Sequence, residues 1–248
     1  MSRLKAPPGL VPALDMPLGR ALLYLDRLKG LKDAVTGVKY GSDIADRYGN
    51  LTAFALFEDI GLEFPIIYDR QKGGSDIPDQ VRKQVREAAR LGVVAYIGQT
   101  LGSGANPSAT EEKVFGTTEA MIDQCKKGGL EPVLVLEMTQ PGATHFLREG
   151  ASEDLARYAK DRGVRYFVAP ATRPERIEVY RKIIGDECEI ISPGIGPQKT
   201  GDPVKDAESA VRAGADHLVI GRALIDAEDP VDLGRRIFEA VVKARESR

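Results

Sequence analysis

Asp69, Lys72 and Asp76 fall close together in the stretch PIIYDRQKGGSDIPDQ, residues 65–80. Two carboxylates around one ammonium, at the end of an apolar strand, make either a charged array that acts on a substrate or the ion pairs of a solvated loop. The pair Gly73-Gly74 lets the backbone turn sharply between them and the next helix. A second group of residues suits an anion. The segment PGIGPQKTGDP, residues 193–203, exposes backbone N–H groups through its glycines and feeds a helix whose first turn carries positive dipole charge, a good place for phosphate. Arg222 can add a bidentate, charge-assisted contact to the same anion. The substrate expected from these two loops is a phosphorylated small molecule. The competing reading is a glycine loop that serves only tight turns.

Such residues matter only if the chain brings them to one place. Short runs at residues 10–14, 35–40, 65–69, 93–97, 133–136, 164–169, 189–192 and 217–220 are apolar and read as strands. Helical apolar spacing follows each of them, at residues 17–28, from 43, then at 78–91, 121–127, 153–162, 173–184, 204–213 and 231–244. Strict β/α alternation without a linker or a shift in composition predicts an α/β fold, a (β/α)8 TIM barrel forming a single domain over residues 1–248. An open doubly wound sheet fits less well, because Asp15-Met16-Pro17 stands where a GxGxxG turn should follow the first strand. A barrel keeps its active site at the carboxyl ends of its strands. Asp15 ends the first strand, Lys39 the second, Asp69 the third, Glu137 and Thr139 the fifth, residues 193–198 the seventh, and Gly221-Arg222 the eighth. Singly, Asp15 could cap a helix, Lys39 could end a strand in solvent and Arg222 could pair with a surface acid. Their common register favours a site.

Composition narrows the partners. With 35 Lys plus Arg against 37 Asp plus Glu, the formal charge of -2 gives no general reason to expect nucleic acid or an acidic membrane. Cys125 and Cys188, without a CxxC or a nearby histidine, predict reduced core thiols in the cytoplasm, with neither a zinc site nor a disulfide. MSRLKAPPGL lacks an apolar core and no segment approaches about 18 uninterrupted apolar residues, so neither export nor membrane insertion is expected. His145 and His217 are the only histidines and read as structural. The polar segment at residues 98–108 is open to two readings, a lid or a flexible excursion.

The segments VPALD, VKYG, IIYD followed by Lys72 and DIP, EMTQPGATHF, VAPATRPERI, ISPGIGPQKTGDP and VIGRAL resemble, in order and over nearly the whole chain, those of archaeal orotidine 5'-phosphate decarboxylase. Residues 137–146 together with 191–203 carry the specificity of that resemblance, since neither barrels in general nor the sugar-phosphate lyases of the same superfamily share them. The resemblance implies decarboxylation of orotidine 5'-monophosphate to UMP in de novo pyrimidine biosynthesis, without metal or organic cofactor, by a homodimer. By position, it implies that Lys39, Asp69 and Lys72 form the charged array, joined across the dimer interface by Asp76 with Ile77 beside it. Asp15 and Lys39 would contact ribose hydroxyls, Thr139 the pyrimidine, and Gln198 and Arg222 the phosphate. Gly196 and Gly221 would allow close backbone approach, with Pro193 and Gly194 also against the substrate.

That chemistry has a physical demand. Loss of CO2 from C6 leaves electrons in an in-plane orbital that the ring cannot delocalise, so the stabilising charge must come from outside. Lys72 at C6 would attract the developing carbanion and then protonate it, while Asp69 and Asp76 keep the lysine ionised. The family spacing is D-x-K-x-x-D, and this chain is longer by two residues, with Lys72 three positions after Asp69. In a regular strand residues 69 and 71 share a face. Either a bend brings Lys72 to the substrate, or Gln71 takes its place with an amide that can neither donate the proton nor balance two carboxylates. Gln80 and the segment after the fourth strand also depart from the family pattern. Two other functions stay open: a metal-dependent sugar-phosphate lyase of the same superfamily, and a catalytically silent nucleotide-binding barrel.

Overall fold

Alternation along each short strand sends successive side chains to opposite faces, and that sorting builds the molecule. The computed structural model describes residues 4–71, 75–108, 110 and 115–248. Its strands are β1 (Gly9–Pro12), β2 (Val38–Gly41), β3 (Ile66–Asp69), β4 (Ala95–Gly98), β5 (Glu131–Val135), β6 (Tyr166–Val168), β7 (Glu189–Pro193) and β8 (His217–Ile220). Val11, Ile67, Val133, Tyr166, Ile191 and Val219 pack into an inner cluster that Leu4 joins. Leu10, Tyr68, Leu134, Phe167 and Ile190 face outward to the helices. All pairs are parallel, in the order β1-β8-β7-β6-β5-β4-β3-β2. The ring is closed by bridges instead of a full ladder: Leu10 pairs with Val35, Ala13 pairs with Lys39, and the Leu14 N–H donates to the Lys39 carbonyl at 2.9 Å. The fold is a (β/α)8 barrel.

The helices are α1 (Leu18–Leu28), α2 (Ser42–Tyr48), α3 (Asn50–Asp59), α4 (Pro78–Arg90), α5 (Thr117–Lys127), α6 (Ala151–Asp161), α7 (Pro174–Ile184), α8 (Pro203–Ala213), α9 (Arg222–Ile225) and α10 (Pro230–Glu246). A proline in the first turn starts α4, α7, α8 and α10, where its missing N–H costs nothing. The helical stretch expected from residue 43 is broken by Gly49 at φ 76°, giving α2 and α3. β2 starts later than the apolar run suggests, because Val35 and Thr36 are drawn to β1: the Thr36 N–H donates to the Leu10 carbonyl at 2.8 Å. Among the described residues, no helix is long and apolar enough to cross a membrane. Cys125 and Cys188 are buried free thiols.

Three tyrosines prop the strands that carry the charged residues. Tyr40, Tyr68 and Tyr96 stand in register on β2, β3 and β4, with ring centroids 5.2 and 6.0 Å apart, and Tyr40 meets Phe54 and Phe57 of α3 edge-on. With the tyrosines turned outward, their neighbours Lys39 and Asp69 must turn in. The segment at 98–108 is tied down: Glu119 accepts from the Asn106 N–H at 3.0 Å and from the Tyr158 hydroxyl, while Thr118 donates to Gly104 O at 3.1 Å.

At the amino end of the barrel His217 is fully buried, bonded to Thr36 Oγ1 at 3.1 Å and to Glu189 Oε2 at 2.6 Å. Gly9 leaves room for this trio, since a Cβ there would lie 1.8 Å from Thr36 Oγ1. Gly9→Ala is therefore expected to lower stability by about 1–3 kcal/mol, which thermal unfolding reads as a fall in Tm of roughly 3–10 °C. An unchanged Tm would mean that Thr36 can rotate away freely.

Candidate active site

A cavity of about 180 Å³ opens at the carboxyl end of the strands, and Asp15, Lys39, Asp69 and Gln71 form one part of its wall. Lys39 Nζ donates to Asp69 Oδ2 at 2.7 Å and to Asp15 Oδ1 at 3.2 Å. The Lys39 and Asp69 side chains are only 13% and 10% exposed, so the pair sits in a medium that strengthens its attraction. Burial pulls the Lys39 ammonium toward neutrality, but the charges of Asp69 and Asp15 outweigh it and hold the pKa above the usual lysine value. Asp69 Oδ2 also accepts from Gln71 Nε2 at 3.2 Å, while Oδ1 is buried without a partner among the described residues.

The loop that carries the expected array is fastened at both described ends to one residue. Gln99 donates its N–H to the Gln71 carbonyl at 3.1 Å, and its own carbonyl accepts from Ser75 Oγ at 3.1 Å. Lys72, Gly73 and Gly74 lie outside the described residues. Of the two residues the sequence offered at this place, Gln71 is the one seen on Asp69. Asp76 and Ile77 are exposed at the start of α4, away from this chain's cavity. Asp76 Oδ1 accepts from the Ile77 N–H at 2.7 Å, its carbonyl accepts from Thr117 Oγ1 at 2.9 Å, and the Ile77 side chain stands 63% exposed.

Pro193, Gly194, Gln198, Gly221 and Arg222 line the cavity at the carboxyl ends of β7 and β8. The helix end expected to receive phosphate is closed by the chain itself. Asp202 caps α8, accepting from the N–H groups of Val204 and Lys205 at 3.1 and 3.2 Å. Gly196 is not in the cavity wall, and its N–H donates to Asp206 Oδ2 at 2.9 Å. Aspartate directly before a proline at the first helical position is an N-cap signature legible in the sequence, and it outranks the generic dipole argument. What stays available to an anion is the exposed Arg222 guanidinium, which forms no ion pair with any described residue, and the Gln198 amide beside it. Gly194, at φ 105°, passes so close to its neighbours that a Cβ would lie 2.8 Å from Thr172 Cγ2 and 3.2 Å from Thr139 Cγ2.

After β5, Glu137 and Thr139 both line the cavity, but Glu137 is spent on structure. It accepts from Arg173 Nε at 2.8 Å, Arg176 Nε at 2.7 Å and the Tyr180 hydroxyl at 2.7 Å. Burial pushes its carboxyl up, yet Tyr180 and the two guanidinium groups prevail and hold it below the usual range. Thr172 and Arg173 had no role in the sequence reading beyond their place in VAPATRPERI. The structure sets them behind the β5 loop, where they bond its backbone.

Residues 8–237 match the family model described as Orotidine 5'-phosphate decarboxylase / HUMPS family. An orotidine 5'-phosphate decarboxylase of Methanosarcina barkeri is 42% identical over 219 residues, which cover 88% of this chain and 90% of that one. One from Methanosarcina mazei is 34% identical over 190 residues, covering 77% and 78%. Among solved structures, orotidine 5'-monophosphate decarboxylase from Methanocaldococcus jannaschii, complexed with the inhibitor BMP, aligns with a TM-score of 0.75 at 26% identity over 95% of this chain and 99% of that one.

Proposed function

The chain belongs to the orotidine 5'-phosphate decarboxylase / HUMPS family, and from that membership we propose that it decarboxylates orotidine 5'-monophosphate to UMP in pyrimidine biosynthesis, as a cytoplasmic homodimer. The observation that carries this reading is the Lys39 ammonium clamped between Asp15 and Asp69 in the wall of a cavity that also holds Arg222, a cation without an ion pair among the described residues. Lys39 and Asp15 meet the ribose hydroxyls, and Arg222 and Gln198 hold the phosphate. Thr139 meets the pyrimidine. Departure of CO2 leaves an electron pair on C6, which the Lys72 ammonium stabilises and then protonates. Asp69 keeps that ammonium charged, and Asp76 from a second copy of the chain completes the array. Phosphate binding far from C6 helps to pay for bringing the substrate carboxylate toward Asp69.

Incubation with orotidine 5'-monophosphate should bleach the orotate absorbance and release CO2 in step. A second reading has one observation in its favour, the Gln71 amide bonded to Asp69. On it the barrel binds the nucleotide without chemistry, and tight UMP binding with no CO2 would select it. EDTA-sensitive turnover of a ketose phosphate would select the sugar-phosphate lyase instead. Arg222→Ala is expected to weaken UMP binding about 10–100-fold, the worth of a charge-assisted contact of about 1.5–3 kcal/mol, and to leave uridine binding unchanged. Calorimetry on both ligands checks it, and equal losses would remove Arg222 from the phosphate.

A further inference from the structure

Three consecutive carbonyls of the loop after β5 are gripped by two adjacent residues. Arg173 Nη2 donates to Met138 O at 2.5 Å, Thr172 Oγ1 donates to Thr139 O at 3.2 Å, and Arg173 Nη1 donates to Gln140 O at 3.2 Å. Arg173 is itself held by the buried Glu137 carboxylate at 2.8 Å. The arginine lies in a separate cleft behind the loop, whereas Met138 and Thr139 line the main cavity. In a trans peptide the C=O and N–H point opposite ways. Drawing Met138 O back to Arg173 therefore turns the Thr139 N–H toward the cavity. Neither that N–H nor the Thr139 hydroxyl donates to another described residue.

We propose that Thr172 and Arg173 form a clamp that holds the Thr139 N–H, which can only donate, toward the substrate, so that the site selects a 4-oxo pyrimidine over a 4-amino one. They are positioning residues, and the inference rests on Thr139 meeting the pyrimidine as described above. A uracil or orotate ring offers an acceptor oxygen at C4. A cytosine ring offers an amino group there, a second donor set against the Thr139 N–H, and the carbonyls on either side are turned away. An unpaired buried polar group costs about 1–3 kcal/mol, which corresponds to roughly 10–100-fold between the two bases. Releasing the clamp lets the peptides rotate and removes the distinction.

The test is calorimetric affinity for UMP, CMP and ribose 5-phosphate, measured on the full chain and on Arg173→Ala, Arg173→Lys and Thr172→Val. The wild-type protein should prefer UMP over CMP at least tenfold. Arg173→Ala should cut that preference about tenfold and leave ribose 5-phosphate unchanged. Arg173→Lys should restore part of it, because one ammonium can hold one of the carbonyls. Thr172→Val keeps the Glu137 ion pairs intact and should lower the preference several-fold, so the clamp is tested even if Arg173→Ala folds poorly. An unaltered UMP to CMP ratio in Thr172→Val and Arg173→Lys overturns the proposal, as does an equal loss for all three ligands in both. Wild-type protein that binds UMP no better than ribose 5-phosphate fails earlier, at the pyrimidine contact itself.

Discussion

Lys39→Met is expected to lower kcat/KM for orotidine 5'-monophosphate about a thousandfold and to destabilise the fold at the same time. A unit charge pair near 4 Å is worth about 4 kcal/mol at an effective dielectric of about 20, and about 1.4 kcal/mol is a factor of ten in rate. Lys39 serves two carboxylates, and methionine fills its volume without its charge. Breaking a buried pair from one side costs about 3–5 kcal/mol. Asp15 is 49% exposed and recovers water, so the lower end applies, a fall in Tm of roughly 6–12 °C. Because the Lys39 pKa is raised in the folded state above the ordinary lysine value, its contribution is fully present below that value and is lost as pH climbs through the raised one. The stability gap between the wild-type protein and the variant should thus be constant at neutral pH and shrink only in strong alkali. Denaturant titrations across pH read it. A variant within tenfold of wild-type activity and with unchanged Tm would remove Lys39 from the array.

Lys72→Ala has the larger effect on chemistry. It removes the proposed proton donor and the cation at C6, together worth at least 10³–10⁴ in rate, so CO2 release should fall below detection. UMP affinity should hold within about threefold, since the phosphate and the base are gripped elsewhere. Gln71→Ala gives the contrast. It deletes one hydrogen bond to the Asp69 carboxylate, worth about 1.5 kcal/mol for a bond to a charged group, and should cost about tenfold in kcat. Single-turnover kinetics on the two variants separates the roles. The reverse pattern, with Gln71→Ala dead and Lys72→Ala active, would put the amide at the reacting carbon and end the proposed mechanism.

The barrel was legible because its elements repeat. β8 runs His217–Ile220, as its apolar run indicated, and each strand is followed by a helix. Legibility failed where one residue overrides a pattern. Gly49 splits a helix whose apolar spacing continues across it, and β5 begins at Glu131 with a proline as its second residue, a residue that argues against a strand interior. At the site, the inward register of Lys39 and Asp69 follows from strand alternation and could be read directly. The sealing of α8 could also have been read, from Asp202-Pro203. The grip of Thr172 and Arg173 could not, since it depends on a guanidinium reaching between two loops more than 30 positions apart in the chain.

The closure of the barrel bears on how the protein breathes. Because β1 and β2 meet through isolated bridges, the wall has one thin seam, and Asp15 and Lys39 stand on its two banks. Fluctuations that part the seam would pull the lysine from the outer acid first while the inner one keeps hold, so amide exchange at Leu14 should track the loosening of these ion pairs before any other part of the ring gives way.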